Sequence, residues 1–243
     1  MGERDEQGKG AHKLFLGKET IAPAKLLYGE SADLFAKLII DNAKFKKITL
    51  IDIGGYKGEL LSNIINLLKE YKIEKIVVDS NSEALQENKV ADIKICSNLT
   101  KIPLDDKIAD IAIMRYVLHW NSLENQKKIL SEIRRLTKNF AIVQHLGADY
   151  LNEKNYLNQI NILFSGKISQ LKRDSSCWES NINLEKIFKE LKIKFEKVEE
   201  LRINGLSELF ITKFSLKESD SKKVKEILRD YDYLIRSTYL LHF

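Results

Sequence analysis

Ile51-Asp52-Ile53-Gly54-Gly55-Tyr56-Lys57-Gly58 is an apolar run that stops abruptly at paired glycines. Leu60, Leu61, Ile64, Ile65, Leu67 and Leu68 follow at helical spacing, so the stretch reads as buried strand, glycine turn, helix. Glycines at such a turn remove the Cβ atoms that would keep a ligand away from the backbone. A plain tight connection has the same appearance. Asp79 says more. It closes a second strand, Ile76–Val78, 21 residues beyond Gly58. A carboxylate there points at the carboxyl edge of the sheet and can accept both hydroxyls of a ribose. Glycine turn and acid together predict a nucleoside-type ligand site, with a glycine spacing unlike the G-x-G-x-x-G of nicotinamide sites.

Strand and helix keep alternating downstream. Glu83–Asn88 reads as a short helix, Ile93–Cys96 as a third strand, and Pro103 as a loop. Ile108–Arg115 is a fourth strand. Asn121 and Glu124 have capping-box spacing ahead of a helix through Leu136, and Phe140–His145 is a fifth strand. Nearly all-apolar strands joined by helices predict a parallel sheet covered on both faces, an α/β doubly wound, Rossmann-like fold. Beyond a helix at Leu184–Leu191, Phe195–Ile203 and Leu209–Phe214 read as two strands. Asn204–Glu208 between them is too short for a crossover helix, so an antiparallel terminal hairpin is expected in a seven-stranded sheet.

The domain reading is a disordered leader over 1–19 and a single domain over 20–216. That domain includes an N-terminal helical cap (20–45, with Ser31 as its N-cap) and an insertion at 148–182. A C-terminal amphipathic helix over 217–243 follows, carried by Val224, Ile227, Leu228, Tyr231, Leu234 and Ile235.

Composition excludes several classes. Of 243 residues, 44% are apolar, enough for a full core. No run is long enough to span a bilayer, so no membrane partner is expected. The polar N-terminus lacks a signal-peptide core, which predicts a cytoplasmic protein. Cys96 and Cys177 cannot build a disulfide framework or a four-ligand zinc site; Cys96 is expected as a small core residue. The 40 basic residues against 35 acidic ones are mostly lysine and form no basic arm, which argues against nucleic acid as a partner. A homodimer stays open.

Several segments resemble the class I S-adenosylmethionine-dependent methyltransferases, in particular the small-molecule enzymes with a "vLHh" segment. They are Asp52-x-Gly54-x-x-x-Gly58, Asp79, and Lys101-Ile102-Pro103 ahead of Ala109-Asp110-Ile111-Ala112. Val117-Leu118-His119-Trp120 and the helix Leu130-Ser131-Glu132-Ile133-Arg134-Arg135-Leu136 complete the set. The resemblance covers about Leu50 to Leu146. It implies S-adenosyl-L-methionine as cofactor, with Asp52 and the turn Gly54, Gly55, Tyr56 and Gly58 at the methionine moiety. Asp79 and Ser80 would meet the ribose, Asn98 and Leu99 the adenine, and Arg115 the methionine end. Tyr56 stands where the family usually has its middle glycine, and Asn98 where an aspartate is common.

The resemblance further implies methyl transfer to an oxygen or nitrogen of a small organic acceptor. Tyr28, Tyr116, Trp120 and Tyr150 are candidate pocket residues. His145, at the end of the fifth strand, and His119 are candidate catalytic bases, because imidazole titrates near neutrality. Arg115 and His145 occupy the places where magnesium-dependent members carry acids, so no metal is expected. A cofactor-binding scaffold without turnover, or an enzyme acting on RNA or protein, are the alternatives.

Overall fold

The computed structural model describes residues 31–147, 183–229 and 232–243. The expected leader over 1–19, Tyr28, Tyr150, Cys177 and the insertion at 148–182 lie outside these residues.

Helix α1 (Ser31–Asn42) precedes β1 (Lys47–Ile53), α2 (Glu59–Leu67), β2 (Lys72–Asp79), α3 (Ser82–Glu87), β3 (Ile93–Cys96) and β4 (Ala109–Arg115). A 3-10 turn (Leu118–Trp120), α4 (Leu123–Leu136) and β5 (Thr137–Gly147) follow. Beyond the undescribed segment come α5 (Leu184–Glu190), β6 (Lys194–Asn204), α6 (Leu206–Phe214), α7 (Glu218–Ile227) and β7 (Tyr233–His242). One seven-stranded sheet has the order β3-β2-β1-β4-β5-β7-β6. β1 pairs in parallel with β2 and β4, β2 with β3, and β4 with β5. β7 runs antiparallel to both β5 and β6.

The central strands are apolar on both faces because each face has its own core. Ile51, Ile53, Val78, Ala112, Met114, Ala141 and Val143 pack towards Ile129, Leu130 and Ile133 of α4 and Ile187 and Phe188 of α5. Leu50, Val77, Ile111, Ile113, Phe140 and Ile142 alternate with them and meet Phe35 and Ile39 of α1 and Leu61 and Ile64 of α2. Each fully buried Ile, Leu or Phe contributes about 1.5–3 kcal/mol. Asp52 interrupts this second series and is only 2% exposed.

The seven-stranded, mostly parallel sheet with an antiparallel pair agrees with the sequence reading, but the last strand lies elsewhere. Leu209–Phe214, expected as a strand, belongs to helix α6, which begins at Gly205 in the left-handed region (φ 87°). Asp232 accepts hydrogen bonds from the Ser207 amide and from Ser207 Oγ (2.9 Å), tying off the first turn of that helix. The expected C-terminal helix over 217–243 is realised only as α7; residues 233–242 are β7, so the domain does not end at 216. The sequence hides this strand because it carries Arg236, Ser237 and Thr238, all buried, where alternating apolar residues would announce a strand. Two caps also differ. Ser122, not Asn121, caps α4 by accepting from the Asn125 amide, while Asn121 donates to the Val117 carbonyl. Ser31 lies within α1 and donates from Oγ to Gln144 Oε1 (2.6 Å).

Candidate active site

The carboxyl ends of β1, β2, β4 and β5 form one edge, where open α/β sheets bind ligands. The glycine turn leaves β1 there. Its Gly54 amide donates to the Val78 carbonyl (2.7 Å), joining the turn to β2. Gly58, at φ 81°, is the N-cap of α2 and lies against the buried Asn88 side chain; a Cβ there would approach Asn88 Nδ2 to 2.7 Å. Asn88 threads the loop: Nδ2 donates to the Tyr56 carbonyl (3.2 Å), and Oδ1 accepts from the Val90 and Ala91 amides (3.0 and 3.1 Å). Nothing in a single sequence marks Asn88 for this role, because its partner is 32 residues away.

Asp79 receives the Tyr56 amide on Oδ2 (2.9 Å) and the Asn81 amide on Oδ1 (2.8 Å). One carboxylate therefore fastens the glycine turn to the end of β2 and retains acceptor capacity for a ligand. Burial raises its pKa, and the backbone donors of Asn81, Tyr56 and Ser80 oppose that rise. Tyr56 has left-handed φ (49°), a conformation costing about 1–2 kcal/mol for a side chain with a Cβ. The departure from a glycine here bends the backbone as a glycine would, and adds an aromatic ring.

Asp52 lies beneath the turn. A Cβ on Gly55 would come within 2.6 Å of its carboxylate, so glycine is what lets the loop cross over this acid. Asp52 Oδ2 is buried and has no hydrogen-bond partner among the described residues. Burial pushes the Asp52 pKa up to about 7; Arg115 pulls it down and Asp79 pushes it further up. A buried carboxylate oxygen left unpaired is costly and fits a site whose ligand brings a cation.

The adenine-side expectations are modified. Leu99 is half-buried against the core, while Asn98 is exposed. Asn98 Oδ1 accepts from the Thr100 amide (3.0 Å) and from Thr100 Oγ1 (2.9 Å), closing a local turn. Ser80 is exposed at the end of β2. Cys96 is exposed rather than a core residue, since β3 is an edge strand; its Sγ lies 3.8 Å from the Ser80 carbonyl. The Glu132/Arg135 motif supports the site from outside. Glu132 Oε2 accepts from the Ile102 amide (2.8 Å), and Arg135 donates to the Ile102 and Leu104 carbonyls (2.9 and 2.7 Å).

On the β4–β5 side, Arg115 faces Asp52 electrostatically, and its guanidinium lies 5.6 Å from the Tyr116 ring centroid. Burial raises the Tyr116 phenol to about 12. His119 and His145 are brought together, each 2% exposed, with ring centroids 5.9 Å apart. Burial, and then the neighbouring His145, push the His119 pKa well down, so His119 is neutral at pH 7. Trp120 ends the 3-10 turn. Among the described residues there is no cluster of three metal-ligating side chains, and no helix is long and apolar enough to cross a membrane.

Comparison with known proteins fits this geometry. A family model described as a methyltransferase domain matches residues 51–143, from β1 to β5. No curated protein matches the sequence significantly. Among solved structures, the YcgJ protein of Bacillus subtilis superposes with a TM-score of 0.67 at 14% identity, covering 88% of this chain and 98% of its own. The geranyl diphosphate C-methyltransferase of Streptomyces coelicolor A3(2), solved with Mg2+, geranyl diphosphate and S-adenosyl-L-homocysteine, gives 0.57 at 12% identity over 100% and 98%. The plantazolicin methyltransferase BpumL, solved with S-adenosyl-homocysteine, gives 0.55 at 14% identity over 99% and 96%. At such identities the structures establish a shared fold, and the domain model adds its own match. Residues 51–143 thus match a methyltransferase-domain family model, and the chain shares its fold with solved methyltransferases.

Proposed function

We propose that this methyltransferase moves a methyl group from S-adenosyl-L-methionine to an oxygen or nitrogen of a small organic molecule. The observation that carries the cofactor half is Asp52: a buried carboxylate, one oxygen unpaired among the described residues, under a glycine turn that a Cβ would obstruct. The bound cofactor supplies an electrophilic methyl on a sulfonium, open to in-line attack by an acceptor lone pair.

The chain's own residues do the rest. Asp52, with Arg115 beside it, offers its carboxylate to the cationic methionine end. The Gly54–Gly58 turn admits the backbone to close contact, and Asp79 accepts from the ribose hydroxyls with the lone pairs its backbone donors leave. Leu99 offers an apolar contact to the adenine. Alignment of acceptor and methyl, and exclusion of water, are the main catalytic contributions in such a displacement. An acceptor that carries a proton at neutral pH needs a base. His145 is the proposed base. His119, held neutral by burial, packs beside it. Tyr116, with Tyr28, Trp120 and Tyr150, is proposed for the acceptor pocket.

Titration calorimetry tests the cofactor assignment. Binding of S-adenosylmethionine and S-adenosylhomocysteine near 1:1, with no heat from NAD, is the expected result; tighter binding of NAD sinks it. A radiolabelled-methyl screen over phenols, carboxylic acids and amines, beside bulk RNA and protein, then tests the acceptor class. Label entering only the macromolecules refutes the small-molecule reading.

A further inference from the structure

Under the start of α1, six polar side chains from four elements and the loop after β4 close into a ring. Ser31 Oγ donates to Gln144 Oε1 (2.6 Å) on β5, and Gln144 Nε2 donates to Thr238 Oγ1 (2.9 Å) on β7. Thr238 Oγ1 donates to Glu199 Oε2 (3.1 Å) on β6. Glu199 accepts from Arg236 Nε (2.9 Å) and Nη2 (2.8 Å), a two-pronged ion pair. Arg236 is hydrogen-bonded to the Tyr116 phenol, and Tyr116 to Ser31. Arg236 is 1% exposed.

Stability alone does not account for such a ring. A buried ion pair usually breaks even, at best, against apolar residues of the same size, because desolvation offsets the attraction. Its effect is to impose one geometry, and here that geometry centres on Tyr116. Tyr116 holds a left-handed φ of 59°, unusual for a bulky residue and characteristic of functional sites. Its amide donates to the Gln144 carbonyl (3.0 Å), and its phenol enters the ring. It is therefore gripped at both ends, directly after Arg115, which faces Asp52.

We propose that Arg236 and Glu199 are positioning residues of the methyl-transfer site, which fix Tyr116 as the wall facing the transferred methyl group and join that wall to the first turn of α1. The inference rests on the methyltransferase reading above and adds a device for the acceptor side. The ring includes none of Asp52, Asp79 or the glycine turn, so disturbing it should alter the surroundings of the methyl without releasing the cofactor.

The test uses S-adenosylmethionine carrying 13C in its methyl group, observed by NMR when bound to the full chain. Tyr116→Phe deletes one hydroxyl. The double variant Arg236→Met/Glu199→Gln removes both charges together, leaving no lone buried ion. The expected result is a bound-methyl resonance displaced by more than its linewidth in Tyr116→Phe and in the double variant, with affinity within about fivefold of wild type. An unchanged resonance overturns the proposal. So does an affinity loss beyond about fivefold, which assigns the ring to cofactor retention. If the double variant fails to fold, Tyr116→Phe alone decides by the same criteria. Failure of the wild-type chain to bind the labelled cofactor would instead sink the methyltransferase reading, so the two failures are told apart.

Discussion

Asp52→Asn exchanges a buried carboxylate for a neutral group of the same shape. The folded protein raises the Asp52 pKa from its ordinary 3.8 to about 7. Between those values the native state keeps a proton that the unfolded chain has lost. Stability therefore falls as pH rises across that window and is flat on either side. At 1.36 kcal/mol per pH unit, the full loss is about 4 kcal/mol above pH 7. Asparagine carries no such penalty. The unliganded variant should thus exceed wild type by up to about 4 kcal/mol at pH 8 and by little at pH 4. The same substitution should weaken S-adenosylmethionine binding, because the counter-charge for its cationic end is gone. Urea denaturation of both proteins at pH 4, 6 and 8 measures the first effect and calorimetry the second. A stability difference that does not change with pH would refute the argument. In wild type, affinity for the cofactor should rise up to about tenfold per pH unit below pH 7 and level off above it, as binding expels the Asp52 proton.

Asp79→Ala should weaken cofactor binding by about 1.5–3 kcal/mol. Asp79→Asn should be no milder, since both carboxylate oxygens face backbone donors and an amide would turn its own N–H₂ towards one of them; full recovery in the asparagine variant would show that neither the charge nor the second acceptor oxygen is needed. Gly58→Ala should cost about 2 kcal/mol in chemical denaturation, from a left-handed backbone and contact with Asn88. A change under about 0.5 kcal/mol would mean the loop shifts freely. Once an acceptor is known, His145→Asn should reduce turnover at least about 100-fold with cofactor affinity nearly unchanged; turnover within threefold of wild type would make His145 a packing residue.

What was legible in the sequence follows from how local each signal is. β1, β4 and β5 announce themselves because both of their faces are buried, leaving apolar runs such as Ile111–Met114. Asp52, the glycine turn and Asp79 were legible as a set because sheet geometry places consecutive β-strand ends side by side. β7 was not legible: its buried polar residues are satisfied by partners such as Glu199, 37 residues from Arg236, and Gln144, 94 residues from Thr238. The apolar run Leu209–Phe214 looked like a strand, but Gly205 and Asp232 start it as a helix. Asn98 illustrates a subtler limit. Its type suits adenine recognition, yet the turn with Thr100 uses its oxygen locally, a competition common for asparagine.

The position of β7 has a consequence for how the molecule folds. Six strands precede it in sequence, yet it is inserted between β5 and β6, which do not pair with each other. During synthesis the β3-β2-β1-β4-β5 half can assemble from sequence-adjacent units, but β6 has no partner strand until residues 233–242 are available. Until then β5 presents an unpaired edge of 11 residues, and β6 another of the same length. Open edges are templates for pairing between chains. A truncation before Tyr233 should therefore leave much of the glycine-turn half formed while the chains associate through β5. The ordering is also economical of function, since the strand that closes the sheet carries Arg236 and so completes the polar ring only when folding is finished.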